Sequence, residues 1–148
     1  MKRIFWLCFL VVLIIPNAFA DSAQQSVAKV YYSWCTAIGT AKGDAAKIVK
    51  FYAPNAVLLP TLSSKILFNR DHGLDAYFKK LTSYPQIQCK PQELMTQLFG
   101  NIAINSGLYT FSYVDHGKIT TIPARFSFVY KEYGNQWLII NHHSSRLP

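Results

Sequence analysis

Apolar residues recur every three or four positions between residues 24 and 42. Val27, Val30, Tyr31, Trp34, Cys35 and Ile38 draw one stripe, which predicts an amphipathic helix with Gly39 and Gly43 near its end. Asp44 is placed to cap a second, shorter helix from Ala45 to Tyr52, with Ile48, Val49 and Phe51 inward. Pro54-Asn55 predicts a turn, Ala56 to Leu59 a short strand stopped by Pro60, and Lys65 to Phe68 a second strand after Ser63-Ser64. A third helix is expected from Asp71 to about Thr82, carrying Leu74, Tyr77, Phe78 and Leu81 and ended by Tyr84-Pro85.

From Cys89 onward the period changes from that of a helix to that of a strand. Strands are predicted over 93–99, 102–114, 119–133 and 137–146. The turns between them fall at Gly100-Asn101, Asp115 to Lys118 and Tyr133 to Asn135. Helices and short strands thus precede four long strands. That order predicts an α+β domain, a cone in which a strongly bent antiparallel sheet wraps around the N-terminal helices. A sheet curled in this way leaves an apolar cavity against the first helix, where ligands sit.

The first twenty residues stand apart. Lys2 and Arg3 precede an unbroken apolar run, Ile4 to Ile15, that is short for a membrane-spanning helix, and Ala18-Phe19-Ala20 supplies a small-x-small cleavage pattern. These features predict a signal peptide over 1–20 and a single mature domain over 21–148, exported to the periplasm or secreted, with no stable membrane insertion after cleavage. Cys8 lies inside the apolar run and not at the first mature position, which argues against a lipoprotein. Loss of Lys2 and Arg3 lowers the formal charge from +8 to +6. The remaining basic residues are scattered, with Lys79-Lys80 the only adjacent mature pair, so no phosphate-tracking stripe points to nucleic acid.

Two mature cysteines remain, Cys35 and Cys89. In an oxidising compartment they invite a disulfide, and two buried free thiols are the alternative, since the sequence gives no Cα separation. No cofactor is implied. His142 and His143 are adjacent and diverge on a strand, so they do not chelate one metal.

Several segments carry a family resemblance: Gly107 to Phe111, Ala124 to Tyr130, and Trp137 to Ser145, with Gly43-Asp44, Tyr52 to Leu58 and Asp75 to Phe78 upstream. The chain resembles the SnoaL-like superfamily with the nuclear-transport-factor-two-type cone, in particular its SgcJ/EcaC-type branch. It is also similar to the association (hub) domain of calcium/calmodulin-dependent protein kinase II. The resemblance implies the cone fold and a homodimer or larger assembly. It does not imply a kinase, because the glycine-rich loop and catalytic-loop signatures are missing. Superfamily members include enzymes, binding modules and assembly domains, so the fold alone does not select a function.

The candidate ligand-binding residues are Arg125, His142, His143, Ser145, Tyr109 and Trp34. Strict alternation puts His143 and Ser145 on the Trp137 face and His142, Ser144 and Arg146 on the other, so one histidine faces the cavity and the other faces outward. Arg125 alternates with Ser127, Val129 and Lys131, which favours the outer side of the sheet, whereas the hub resemblance implies an arginine in the cavity. Counting back from the Tyr133 to Asn135 turn sets Arg125 beside the His142 to Ser145 segment, where the pair would hold a small anion; a hydrophobic ligand is the other possibility for so aromatic a lining. Asp44 and Asp71 read as helix caps, and no carboxylate is evidently placed for acid–base work in the pocket. An exported ligand-binding or self-associating domain without catalysis is therefore the first reading. The second is a small-molecule isomerase, dehydratase or oxidoreductase using a pocket histidine with Arg125 and a tyrosine.

Overall fold

The computed structural model describes residues 18–148, so the expected signal sequence lies almost wholly outside the described residues. Helix α1 (Ala18–Thr40) is followed by α2 (Ala46–Val49), β1 (Tyr52–Leu59), β2 (Leu67–Phe68), a 3-10 turn (Asn69–Asp71) and α3 (Gly73–Thr82). Four long strands complete the chain: β3 (Gln88–Phe99), β4 (Ile102–Asp115), β5 (Lys118–Tyr133) and β6 (Gln136–Arg146). They form one six-stranded, curled and unclosed sheet in the order β2-β1-β6-β5-β4-β3. Among the described residues no helix is long and apolar enough to cross a membrane.

The apolar stripe of α1 does what its spacing requires. Val27, Tyr31, Trp34, Cys35 and Ile38 are all buried against the concave face of the sheet. The inward positions of β5 alternate as Ile122, Ala124, Phe126, Phe128 and Tyr130, and all are buried. Tyr31 stacks on Phe126, and Phe126 on Tyr109, at ring separations of 4.9 and 4.7 Å. The β4–β5 connection is a two-residue hairpin in which His116 and Gly117 both take positive φ, the pairing a type I′ turn needs.

Four expectations are corrected. The second helix is a single turn and does not reach Tyr52, which instead opens β1. Pro54-Asn55 is not a turn but part of β1, accommodated by a register irregularity between Tyr52 and Val57. The sheet is not wholly antiparallel, because β1 runs parallel to β6. Asp71 does not cap α3. His72, at φ 56°, precedes the helix without a side-chain cap, and Asp71 ends the 3-10 turn.

β3 and β4 approach closely where β3 meets Gly107. The β3–β4 register skips a residue between Pro91 and Glu93, and a Cβ built on Gly107 would lie 1.9 Å from the Glu93 carbonyl oxygen. Only a residue without a side chain lets the bulged edge strand close on β4 there. Cys35 of α1 and Cys89 of β3 are joined by a disulfide, their Cα atoms 5.2 Å apart. The bond fastens this same edge strand to the central helix.

Candidate functional site

A second bulge decides what faces the interior. Along β5 and β6, Tyr130 pairs with Ile139 but the neighbouring Val129 pairs with Asn141, leaving Ile140 as the extra residue. Trp137 and Ile139 point inward before the bulge, and His142 and Ser144 point inward after it. Strict alternation is therefore overturned. His143, placed by alternation with Trp137, is exposed on the outer face, and Ser145 is there with it. No sequence feature announces the bulge, because Ile139-Ile140 fits either face.

Inside the cone, Trp34 Nε1 donates to Tyr52 Oη at 3.1 Å, and Tyr52 Oη lies 2.8 Å from His142 Nδ1. Trp34 can only donate, so the Tyr52 oxygen accepts from it; the Tyr52–His142 bond runs from O–H to Nδ1 in the Nε2–H tautomer and from Nδ1–H to Oη in the other. The His142 ring is held edgewise against Phe128, with centroids 3.9 Å apart, and against Trp34 at 5.4 Å. Beside it Tyr109 Oη donates to Ser144 Oγ at 2.6 Å, and Thr61 Oγ1 also bonds Ser144. Trp34, Tyr109, Ser144, Thr61 and His142 share the wall of a void of about 10 Å³, enough for one water.

Burial holds the His142 pKa well below its ordinary value, and the adjacent His143 adds to the depression. Burial raises the Tyr52 and Tyr109 hydroxyls far above theirs, so the site is neutral throughout. The linkage has a definite sign. As pH falls through ~6.5 the unfolded ring takes a proton that the buried ring refuses, so stability is complete above that pH and is lost below it. Between pH 7.5 and 5.5 His142 is expected to cost about 1.4 kcal/mol of unfolding free energy. Urea denaturation of wild type and His142→Gln at both pH values isolates this contribution. An equal pH dependence in the two proteins would refute it.

The sequence candidates thus divide. Trp34, Tyr109 and His142 meet in the interior. Arg125, His143 and Ser145 sit on the opposite face of the sheet, where Arg125 Nε donates to Ser145 Oγ at 3.0 Å. Arg125 does neighbour the end of β6 in register, pairing with Ser145, but it does not join a histidine in the cavity. Tyr32, next to Tyr31 on α1, faces away from the interior and is 49% exposed. Tyr52, Ser144 and Thr61 were not anticipated. A buried Trp34 N–H implied an acceptor nearby without naming Tyr52. Among the described residues no group of three or more His, Cys, Asp or Glu side chains is gathered as metal ligands would be.

A bent sheet wrapped on a tryptophan-bearing helix, with a small polar constellation at its centre, defines the nuclear-transport-factor-two-like cone class. A nuclear transport factor 2-like superfamily protein from Salmonella enterica serovar Typhimurium superposes with a TM-score of 0.76 at 15% identity, over 87% of this chain and 94% of that one. The description "calcium/calmodulin dependent protein kinase II association domain" matches residues 23–148, and the chain belongs to that family. A structure assigned to such an association domain, from Xanthomonas campestris, is 35% identical, with a TM-score of 0.74 over 82% of this chain and 86% of that one. The kinase hub homology domain of Chlamydomonas reinhardtii, at 17% identity, gives a TM-score of 0.68 over 85% of this chain and 99% of its own. No curated protein sequence matches.

Proposed function

We propose that this chain is an exported self-associating module whose outer sheet face receives a second copy. The observation that carries it is one cross-strand row. Glu93, Leu108, Arg125 and Ser145 pair successively across β3, β4, β5 and β6 on the face that no helix of the described residues covers. Glu93 and Arg125 are exposed, and neither forms an ion pair with the described residues. Ile104, Leu108, Val129 and Met95 supply apolar surface around them. A two-fold axis through such a face makes it self-complementary, with each Glu93 opposite the other copy's Arg125. Membership of an association-domain family supports the same reading.

Sedimentation tests it. Wild type is expected to be a dimer or larger at about 50 µM, a range in which moderate interfaces persist. Arg125→Glu or Glu93→Arg should shift the protein toward monomer, and the double exchange should restore assembly. A wild-type monomer at that concentration would overturn self-association. Dimers indifferent to all three changes would overturn the pairing alone.

Catalysis is not part of the proposal. The groups packed on His142 are aromatic rings and the Tyr52 hydroxyl, with no carboxylate among the described residues beside it, and Arg125 is across the sheet. Export is supported by the charged start, the short apolar run and Ala18-Phe19-Ala20, and the Cys35–Cys89 bond fits an oxidising compartment. Intact-mass measurement on exported protein should find Asp21 at the N-terminus. Retention of residues 1–20 would refute that assignment.

A further inference from the structure

We propose that the interior of the cone binds a small uncharged carbonyl compound, a ketone, aldehyde or amide, whose oxygen accepts a hydrogen bond from His142 Nε2. Three observations converge on it. First, Nδ1 is the acceptor at hand for the Tyr52 hydroxyl proton, and with that bond made the neutral ring carries its own proton on Nε2. Second, His142 Nε2 and Tyr31 Oη are the buried side-chain polar atoms of the described residues that have no partner. Tyr31 packs among rings, whereas His142 lines a void. A donor buried and unmade is costly, and a bound acceptor removes that cost. Third, among the described residues the wall of the void around Nε2 carries no charge that could hold an anion there, and Lys80 lines the outer hollow instead. That wall is built of aromatic, aliphatic and hydroxyl groups, and both Arg125 and His143 are outside. A carboxylate drawn in would lose its hydration with no countercharge, whereas a carbonyl oxygen gives up far less.

The geometry also supplies an entrance. The void abuts a hollow of about 200 Å³, and Tyr77 and Leu81 line both. The segment between β1 and β2 forms the other side of the partition, with Thr61 bonded to Ser144 within and Leu62 lining the outer hollow. Displacement of the Tyr77 ring or of this segment joins the two spaces into room for a six-membered ring. The inference does not depend on self-association, and monomer or dimer presents the same interior.

Cyclohexanone, methylenecyclohexane and cyclohexanecarboxylate make a matched set: an acceptor, its apolar isostere and an anion. Calorimetric titration into the purified protein should show cyclohexanone binding, with methylenecyclohexane roughly tenfold weaker and the carboxylate weaker still. In wild-type protein carrying ¹⁵N-labelled histidine, the His142 proton should reside on Nε2, and that resonance should move with the ketone and not with the isostere. These readouts need no variant that could fail to fold. The proposal is overturned if cyclohexanone does not bind up to about 10 mM, in which case the void holds water alone. It is equally overturned if the isostere binds as well as the ketone, if the carboxylate binds best, or if the proton lies on Nδ1.

Discussion

Reduction of the Cys35–Cys89 bond is expected to lower the unfolding free energy by about 4 kcal/mol, the loop-closure entropy of a cross-link of this span. The two residues are 54 positions apart, and the chain between them includes the end of α1, α2, β1, β2 and α3. The bond matters more than its span alone suggests because of where it acts. β3 is the terminal strand of the sheet and is hydrogen-bonded on one side only, to β4. Without the bond, its hold on α1 rests on packing and on exposed contacts such as Gln24 Nε2 to the Thr96 carbonyl. With a urea slope of about 2 kcal/mol/M, the midpoint should fall by roughly 2 M on reduction, or in a Cys35→Ala/Cys89→Ala double variant. An unchanged midpoint, or two free thiols per chain in the oxidised unfolded protein, would count against the bond.

Gly107→Ala is expected to cost about 3 kcal/mol or more, at the upper end of overpacking substitutions. The methyl would stand 1.9 Å from the Glu93 oxygen, 2.8 Å from its carbon and 3.2 Å from the Leu94 Cα. All three are backbone atoms of an edge strand, so no side chain can rotate away. Relief requires β3 to part from β4 beside the bulge. Gly39→Ala is the control. Its Cβ would meet only the Ile87 oxygen, at 3.4 Å, and an alanine within α1 should leave stability unchanged or slightly raised. Thermal unfolding that finds the two variants alike would remove Gly107 from its assigned role.

What the sequence made legible follows from how each element is buried. α1 and β5 each bury one face and expose the other, so their periodicity is clean, and Tyr31, Trp34, Cys35 and Ile38 were placed correctly from it. β1 was half missed because Pro54-Asn55 carries a turn's composition, and its parallel partner β6 is more than eighty residues away, beyond any local signal. The site was the least legible part. Its polar members come from β1, β4, β6 and the segment after β1, and each looks ordinary in its own neighbourhood. The one local rule that spoke to the histidines, alternation, was defeated by a single extra residue.

That residue, Ile140, has a consequence for how such domains diversify. Every side chain from Asn141 onward keeps its inside or outside address because Ile140 is left out of the pairing with β5. Deletion of Ile140 would leave His142 and Ser144 inward in a regular strand, whereas pairing Ile140 into the ladder would send His143 and Ser145 into the cone and turn His142 and Ser144 out. Among relatives of this chain, a codon gained or lost as a bulge therefore conserves the interior chemistry, and an alignment that omits the gap will compare residues on opposite faces of the sheet.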